Sequence, residues 1–141
     1  MQFVNLWAVL GSVVFSCILG TLWFGPIFGK SWMHMMGISK ESMEACKTDP
    51  KAKAAMRTSY GIMMVSSLVM TYVLASLMQK YAITDYSSAM QFAALIWLGF
   101  VGTTMTGMVS WENKPWKLWA ITSGYYLVNF VLVSMILVRF Q

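Results

Sequence analysis

Four long stretches of this 141-residue chain hold almost no ionisable groups. Phe3–Phe24, Ser59–Met78 and Ser88–Ser110 contain no Asp, Glu, Lys, Arg or His. Trp116–Val138 contains only Lys117, at its start. Membrane proton relays, ion paths and counter-ions use charged groups within the apolar layer, and such groups are missing. A retinal-type Schiff base needs a buried lysine, which is absent. Haem held between helices commonly needs a pair of axial histidines. The sole histidine, His34, lies outside the stretches. Only two cysteines occur, Cys17 and Cys46, and they form no Cys-x-x-Cys pair. Their predicted depths differ, so both are expected as free thiols. A zinc-protease His-Glu-x-x-His helix is absent, and no general base lies in a stretch to serve a hydroxyl nucleophile. No enzyme activity, cofactor or metal is therefore expected.

What is present is hydrophobic. The chain is 58% apolar, with a mean hydropathy of +0.62. A soluble domain of this size needs more polar surface. About 20 residues at ~1.5 Å per residue cross the ~30 Å apolar layer of a bilayer. The sequence therefore predicts an all-α, integral membrane four-helix bundle, one domain over residues 1–141, with spans about 3–24, 59–78, 88–110 and 116–138. A short interfacial helix is expected within about 27–48, between the first and second spans.

Charge orients this bundle. Lys30, Lys40, Lys47, Lys51, Lys53 and Arg57 lie between the first two spans, and Lys114 and Lys117 at the turn between the last two. Only Lys80 and Arg139 lie at the other end. The positive-inside rule places loops 25–58 and 111–117 in the cytoplasm and both termini outside. Juxtamembrane basic groups fit anionic lipid headgroups, so membrane lipids are expected partners and nucleic acid is not.

Local signals divide the chain. Proline disfavours helix at the residue before it, so the first helix is predicted to stop at Gly25-Pro26. Gly37 breaks the interfacial segment, and Ser39 can cap a second short helix. Asp49-Pro50 is a helix start, with a capping side chain followed by proline at the first helical position. The second helix is expected to run from there to about Met78. Thr84, Asp85 or Ser87 can cap the third. The short turn Glu112-Asn113-Lys114-Pro115 makes helices three and four antiparallel neighbours. Most tryptophans sit near span ends, as an interfacial belt requires, whereas Trp97 lies inside the third span.

In lipid, helices associate through small residues and interhelical hydrogen bonds. Three stripes at four-residue spacing fit this role: Ser12, Ser16, Gly20; Ser67, Thr71, Ala75; and Gly99, Thr103, Gly107. They predict packing within the bundle or between protomers. The neutral polar residues Thr103, Thr104, Thr106, Asn129 and Tyr125 form a candidate intramembrane cluster. Of the fourteen methionines, only Met33, Met35 and Met36 gather around His34. Adjacent helical residues point apart, so this group reads as an interfacial anchor rather than a metal site.

The run Gly20-Thr21-Leu22-Trp23-Phe24-Gly25-Pro26-Ile27-Phe28-Gly29-Lys30-Ser31-Trp32, followed by Met36-Gly37, resembles a bacterial membrane-protein family known as domain of unknown function 1761. Leu95-Ile96-Trp97-Leu98-Gly99-Phe100, Glu112-Asn113-Lys114-Pro115-Trp116-Lys117-Leu118 and Gly124-Tyr125 agree with it. The chain departs from the pattern at Phe24, where tyrosine is the more usual residue. The resemblance implies a four-helix inner-membrane protein and supplies no activity. In its first motif, Trp23, Pro26, Lys30 and Trp32 are expected to terminate the helix and anchor at the interface, with Lys30 in reach of Glu112. The expected role is a non-enzymatic scaffold or accessory subunit, as a homo-oligomer or with another membrane protein. The alternative is a channel or carrier for a neutral or hydrophobic solute through the Thr103, Thr104, Thr106, Asn129 and Tyr125 cluster.

Overall fold

The computed structural model describes residues 4–140, without the side chain of residue 46. The first residue assigned to span one, Phe3, and the thiol of Cys46 thus lie outside the described residues. Described helices are α1 (Leu6–Leu22), continued by a π-turn (Trp23–Ile27), α2 (Gly29–Met36), α3 (Lys40–Thr48) and α4 (Pro50–Lys80). They continue as α5 (Tyr86–Ile96), a second π-turn (Trp97–Gly102), a 3-10 turn (Thr104–Thr106), α6 (Gly107–Ser110) and α7 (Trp116–Arg139). Among the described residues there is no strand. Four helices are long and apolar enough to span a membrane: Leu6–Ile27, Pro50–Lys80, Tyr86–Ser110 and Trp116–Arg139. The fold is an all-α bundle of a multi-pass membrane protein.

Caps set the boundaries. Asn5 Oδ1 accepts from the Trp7 and Ala8 amides and opens α1. Ser39 and Asp49 accept from the Ser42 and Lys51 amides and open α3 and α4. Of the three candidates for the third span, Asp85 is the cap, accepting from the Ser88 amide at 2.9 Å. The Ser88 hydroxyl, then its amide, hold the exposed Asp85 carboxyl below its ordinary value of 3.8. Hydrogen bonds to the ionised form favour it. Gly37, at φ +71°, ends α2 with the paired bonds Gly37 N–H to His34 and Ile38 N–H to Met33. The same pair closes α4, where Ala82 and Ile83 donate to Gln79 and Met78. There the left-handed residue is Ala82, at φ +52°. Two short helices, divided at Gly37 and capped at Ser39 as expected, therefore join the first and second spans.

The expected stop at Gly25-Pro26 is not observed. The helix continues through Pro26 because the backbone widens to a π-turn, with the Phe28 amide reaching the Trp23 carbonyl at 2.9 Å. Local π adjustment re-pairs the backbone groups that proline would orphan.

α7 is the central helix, against α1 on one side and α5 on the other, with α4 on α1 and α7. Asn5 Nδ2 donates to the Phe140 carbonyl at 2.9 Å, joining the start of α1 to the end of α7. The apolar core gathers at this terminal end: Ala8 and Val9 of α1, Leu74, Ala75 and Met78 of α4, Ala89 and Ala93 of α5, and Phe130, Val133 and Leu137 of α7. Toward the loop end, α4 parts from the bundle. Its buried residues are Thr71, Leu74, Ala75 and Met78, all in the second half, whereas Tyr60, Ile62, Met63, Met64 and Val65 are exposed.

Candidate functional site

The middle of the bundle is built from two π-turns that each begin at a tryptophan. Trp23 Nε1 donates to the Ile121 carbonyl at 3.0 Å, and Trp97 Nε1 donates to the Ser123 carbonyl at 2.7 Å. Both turns are thus tied to one stretch of α7. A third indole, Trp119 Nε1, donates to the Gly102 carbonyl at 3.1 Å, where the second π-turn ends. A β-carbon at Gly102 would lie 3.2 Å from the Trp97 ring, so the small residue admits the indole.

Tyr125 fills the gap between α1 and α7. Its hydroxyl donates to the Ser16 carbonyl at 3.1 Å. Its ring meets Phe24 at a centroid distance of 5.1 Å and Tyr126 at 5.3 Å. Gly20 leaves room for the hydroxyl, which would sit 3.3 Å from an added β-carbon. Phe24 also packs on Trp32 at 5.4 Å, and Trp23 on Phe28 at 5.0 Å. The first motif is therefore an aromatic box that folds α2 back on the bundle. Gly29 is required where the box closes, because a β-carbon there would lie 2.6 Å from the Phe24 carbonyl oxygen.

The five residues expected to gather inside the membrane do not share a cavity. Asn129 and Tyr125 are buried, but Thr103 and Thr104 face outward. Thr103 donates to the Gly99 carbonyl, Thr104 to the Phe100 carbonyl and Thr106 to the Thr103 carbonyl. Their hydroxyls serve the backbone of the irregular third span. Thr104 instead borders an open lateral groove of about 360 Å³, with Met70, Phe100, Val101, Met105, Tyr126 and Phe130. Trp23 is half-buried and donates across to α7, and Pro26 is exposed within its π-turn. Lys30 and Glu112 are both exposed, and they form no ion pair.

Two of the three small-residue stripes pack within the bundle. Ser12, Ser16, Thr71 and Ala75 are buried, and Gly20 touches Tyr125. The third is unpartnered: Gly99 has nothing within 4 Å, Thr103 is exposed, and Gly107 is half-buried beside Trp111.

The family model described as "Protein of unknown function (DUF1761)" matches residues 7–138. The chain belongs to the DUF1761 family. No curated protein and no solved structure matches it. The DUF1761 match takes in both π-turns, the aromatic box and the turn at Glu112. It carries no activity, so the chemistry must be read from the geometry of this DUF1761 chain. Sequence reasoning set Trp97 aside as an exception and named Ser12, Ser67 and Thr71 only as packing residues. An indole in mid-span is itself a signal, because a buried Nε1–H requires an acceptor.

Proposed function

We propose that the protein is a non-enzymatic component of the bacterial inner membrane. It works as a scaffold or accessory subunit by associating with a second copy or with another membrane protein. The observation that carries this reading is the face Leu95, Gly99, Thr103 of the third span. All three residues are exposed, with Leu95 67% exposed. Lipid offers apolar helices no hydrophobic reason to associate, so close approach at small residues supplies the contact instead. Gly99 permits that approach. The exposed first half of α4 adds a second unpartnered helical surface. In this reading loops 25–58 and 111–117 lie in the cytoplasm, where their basic residues meet anionic headgroups.

The test is energy transfer between labelled copies in liposomes, across a range of protein-to-lipid ratios, with crosslinking in native membranes. Gly99→Leu is expected to reduce self-association or partner capture. Gly11→Leu, on an open face of α1, is expected to leave it unchanged. A protein that stays monomeric at every ratio and crosslinks to nothing in native membranes refutes the reading.

A further inference from the structure

We infer that the seam between α1, α4 and α7 is a binding site for ordered water, held by Ser12, Ser67, Thr71 and Asn129. This stands apart from the association proposed above, because it uses the interior of one protomer.

Two contacts set the helices in register. Tyr125 of α7 bonds Ser16 of α1. One turn toward the terminal end on both helices brings Ser12 level with Asn129. Ala8 and Ala75 border the same small cavity. One turn inward on both helices brings Ser12 level with Thr71, and a second turn brings Ser16 level with Ser67. Three helices thus place Ser12, Thr71 and Asn129 in one layer, with Ser67 in the next.

Ser12 and Thr71 are 0% exposed and Asn129 is 1% exposed, whereas Ser67 is half-buried. Among the described residues, Ser12 Oγ, Ser67 Oγ, Thr71 Oγ1 and Asn129 Oδ1 have no hydrogen-bond partner, and outside these two layers the same holds for Thr122 Oγ1 and Ser134 Oγ. Many other span hydroxyls behave differently. Ser16, Thr21, Thr58, Ser59, Ser76, Thr103 and Thr104 each donate to the carbonyl four residues before. The seam hydroxyls do not fall back on the backbone in this way, so they are free to bond within the seam. An unsatisfied polar atom in the membrane interior is costly, and four in two adjacent layers call for a shared partner.

Water has the required chemistry. It donates to the carboxamide oxygen of Asn129 and accepts from the hydroxyls around it. A buried water makes 2–4 such bonds. The layer carries no ionisable group, so a metal cation or an anion would enter uncompensated. At the terminal end of the seam, Val4, Asn5, Ala8, Ala75, Gln79, Leu137 and Phe140 line a partly open cavity of about 10 Å³. That is about the room one water needs. Asn5 and Gln79 are the polar members of its otherwise apolar lining, and Ala8 and Ala75 each lie four residues from Ser12 and Thr71.

The test is solid-state NMR of the full chain in liposomes, following transfer of magnetisation from water protons to side-chain carbons. Thr71, Ser12 and Asn129 are expected to build up several-fold faster than Leu74 and Val133, their buried apolar neighbours. Equal build-up at all five overturns the inference. Thr71→Val keeps the shape and removes the hydroxyl. It is expected to slow the transfer at Ser12 and Asn129 and to lower the melting temperature. A higher melting temperature refutes the idea, because deleting an unpaired hydroxyl from a dry seam relieves it. If Thr71→Val fails to fold, Ser12→Ala is read by the same two measurements.

Discussion

Replacing Gly29 by alanine tests the geometry of the aromatic box directly. An added β-carbon would lie 2.6 Å from the Phe24 carbonyl oxygen and 3.3 Å from its carbon. The shortest comfortable C···O spacing is about 3.3 Å, so the contact must open by about 0.7 Å. The obstacle is backbone within a π-turn, which cannot rotate away as a flexible side chain does. Overpacking of this kind costs about 1–3 kcal/mol. Alanine gains up to about 1 kcal/mol of helix propensity over glycine, and less at Gly29, the first residue of α2. The net effect is a loss of about 1–2 kcal/mol, with α2 swung outward and Trp32 drawn from Phe24. Equilibrium unfolding in mixed micelles, followed by circular dichroism, measures the loss. Gly25→Ala is the control, because nothing lies within 4 Å of its β-carbon position. If Gly29→Ala is as stable as Gly25→Ala, the box is not closed as described.

Four further outcomes are expected. Ala82→Gly should stabilise the protein by about 1 kcal/mol in the same assay, since alanine is held at φ +52° in the left-handed region. Trp97→Phe should lower stability by about 0.6–1.7 kcal/mol beyond its lost volume, the range for interhelical hydrogen bonds in membranes. A Trp97→Phe, Ser123→Ala cycle would miss this bond, because the acceptor is the Ser123 backbone carbonyl; comparison with a Trp-to-naphthylalanine replacement, which keeps the rings, isolates it. Asp49→Ala should cost about 1 kcal/mol and fray the first turn of α4, seen as faster amide exchange at Lys51. Asp85 should give an acid-side pH dependence. Its carboxyl is held below 3.8 in the folded chain, so its stabilising contribution is complete above that value and is lost as pH falls through the lower folded one. Melting followed from pH 6 to pH 3 should show this in the parent chain, and less of it in Asp85→Asn, which keeps an uncharged cap.

The agreement between expectation and structure follows a physical division. Asp49-Pro50, Ser39 and Gly37 act within a few residues of themselves, so their roles as starts and stops were legible, whereas the structure chose Asp85 from the three candidates Thr84, Asp85 and Ser87. The short turn before Pro115 likewise made the last two spans neighbours. Pro26 was misread because its effect depends on whether the backbone can widen, and Trp23 lies in the half-buried box where that widened turn is held. The Thr103, Thr104, Thr106, Asn129 and Tyr125 cluster failed for a related reason. The second π-turn and the 3-10 turn change the residues per turn between Trp97 and Thr106, so positions counted on a regular helix no longer point where the count places them.

The sequence by itself determined the four spans, their caps and the concentration of basic charge at one end, because bilayer thickness, backbone capping and charge burial act on local composition. Only the tertiary structure decided which face of each span is inside. Membrane helices are apolar all round, so periodicity does not separate a lipid-facing side from a packed one. The register of Tyr125 on Ser16 and of Ala8 beside Ala75 made Ser12, Thr71 and Asn129 a shared buried layer, and the departure of α4 from the bundle left its first half open.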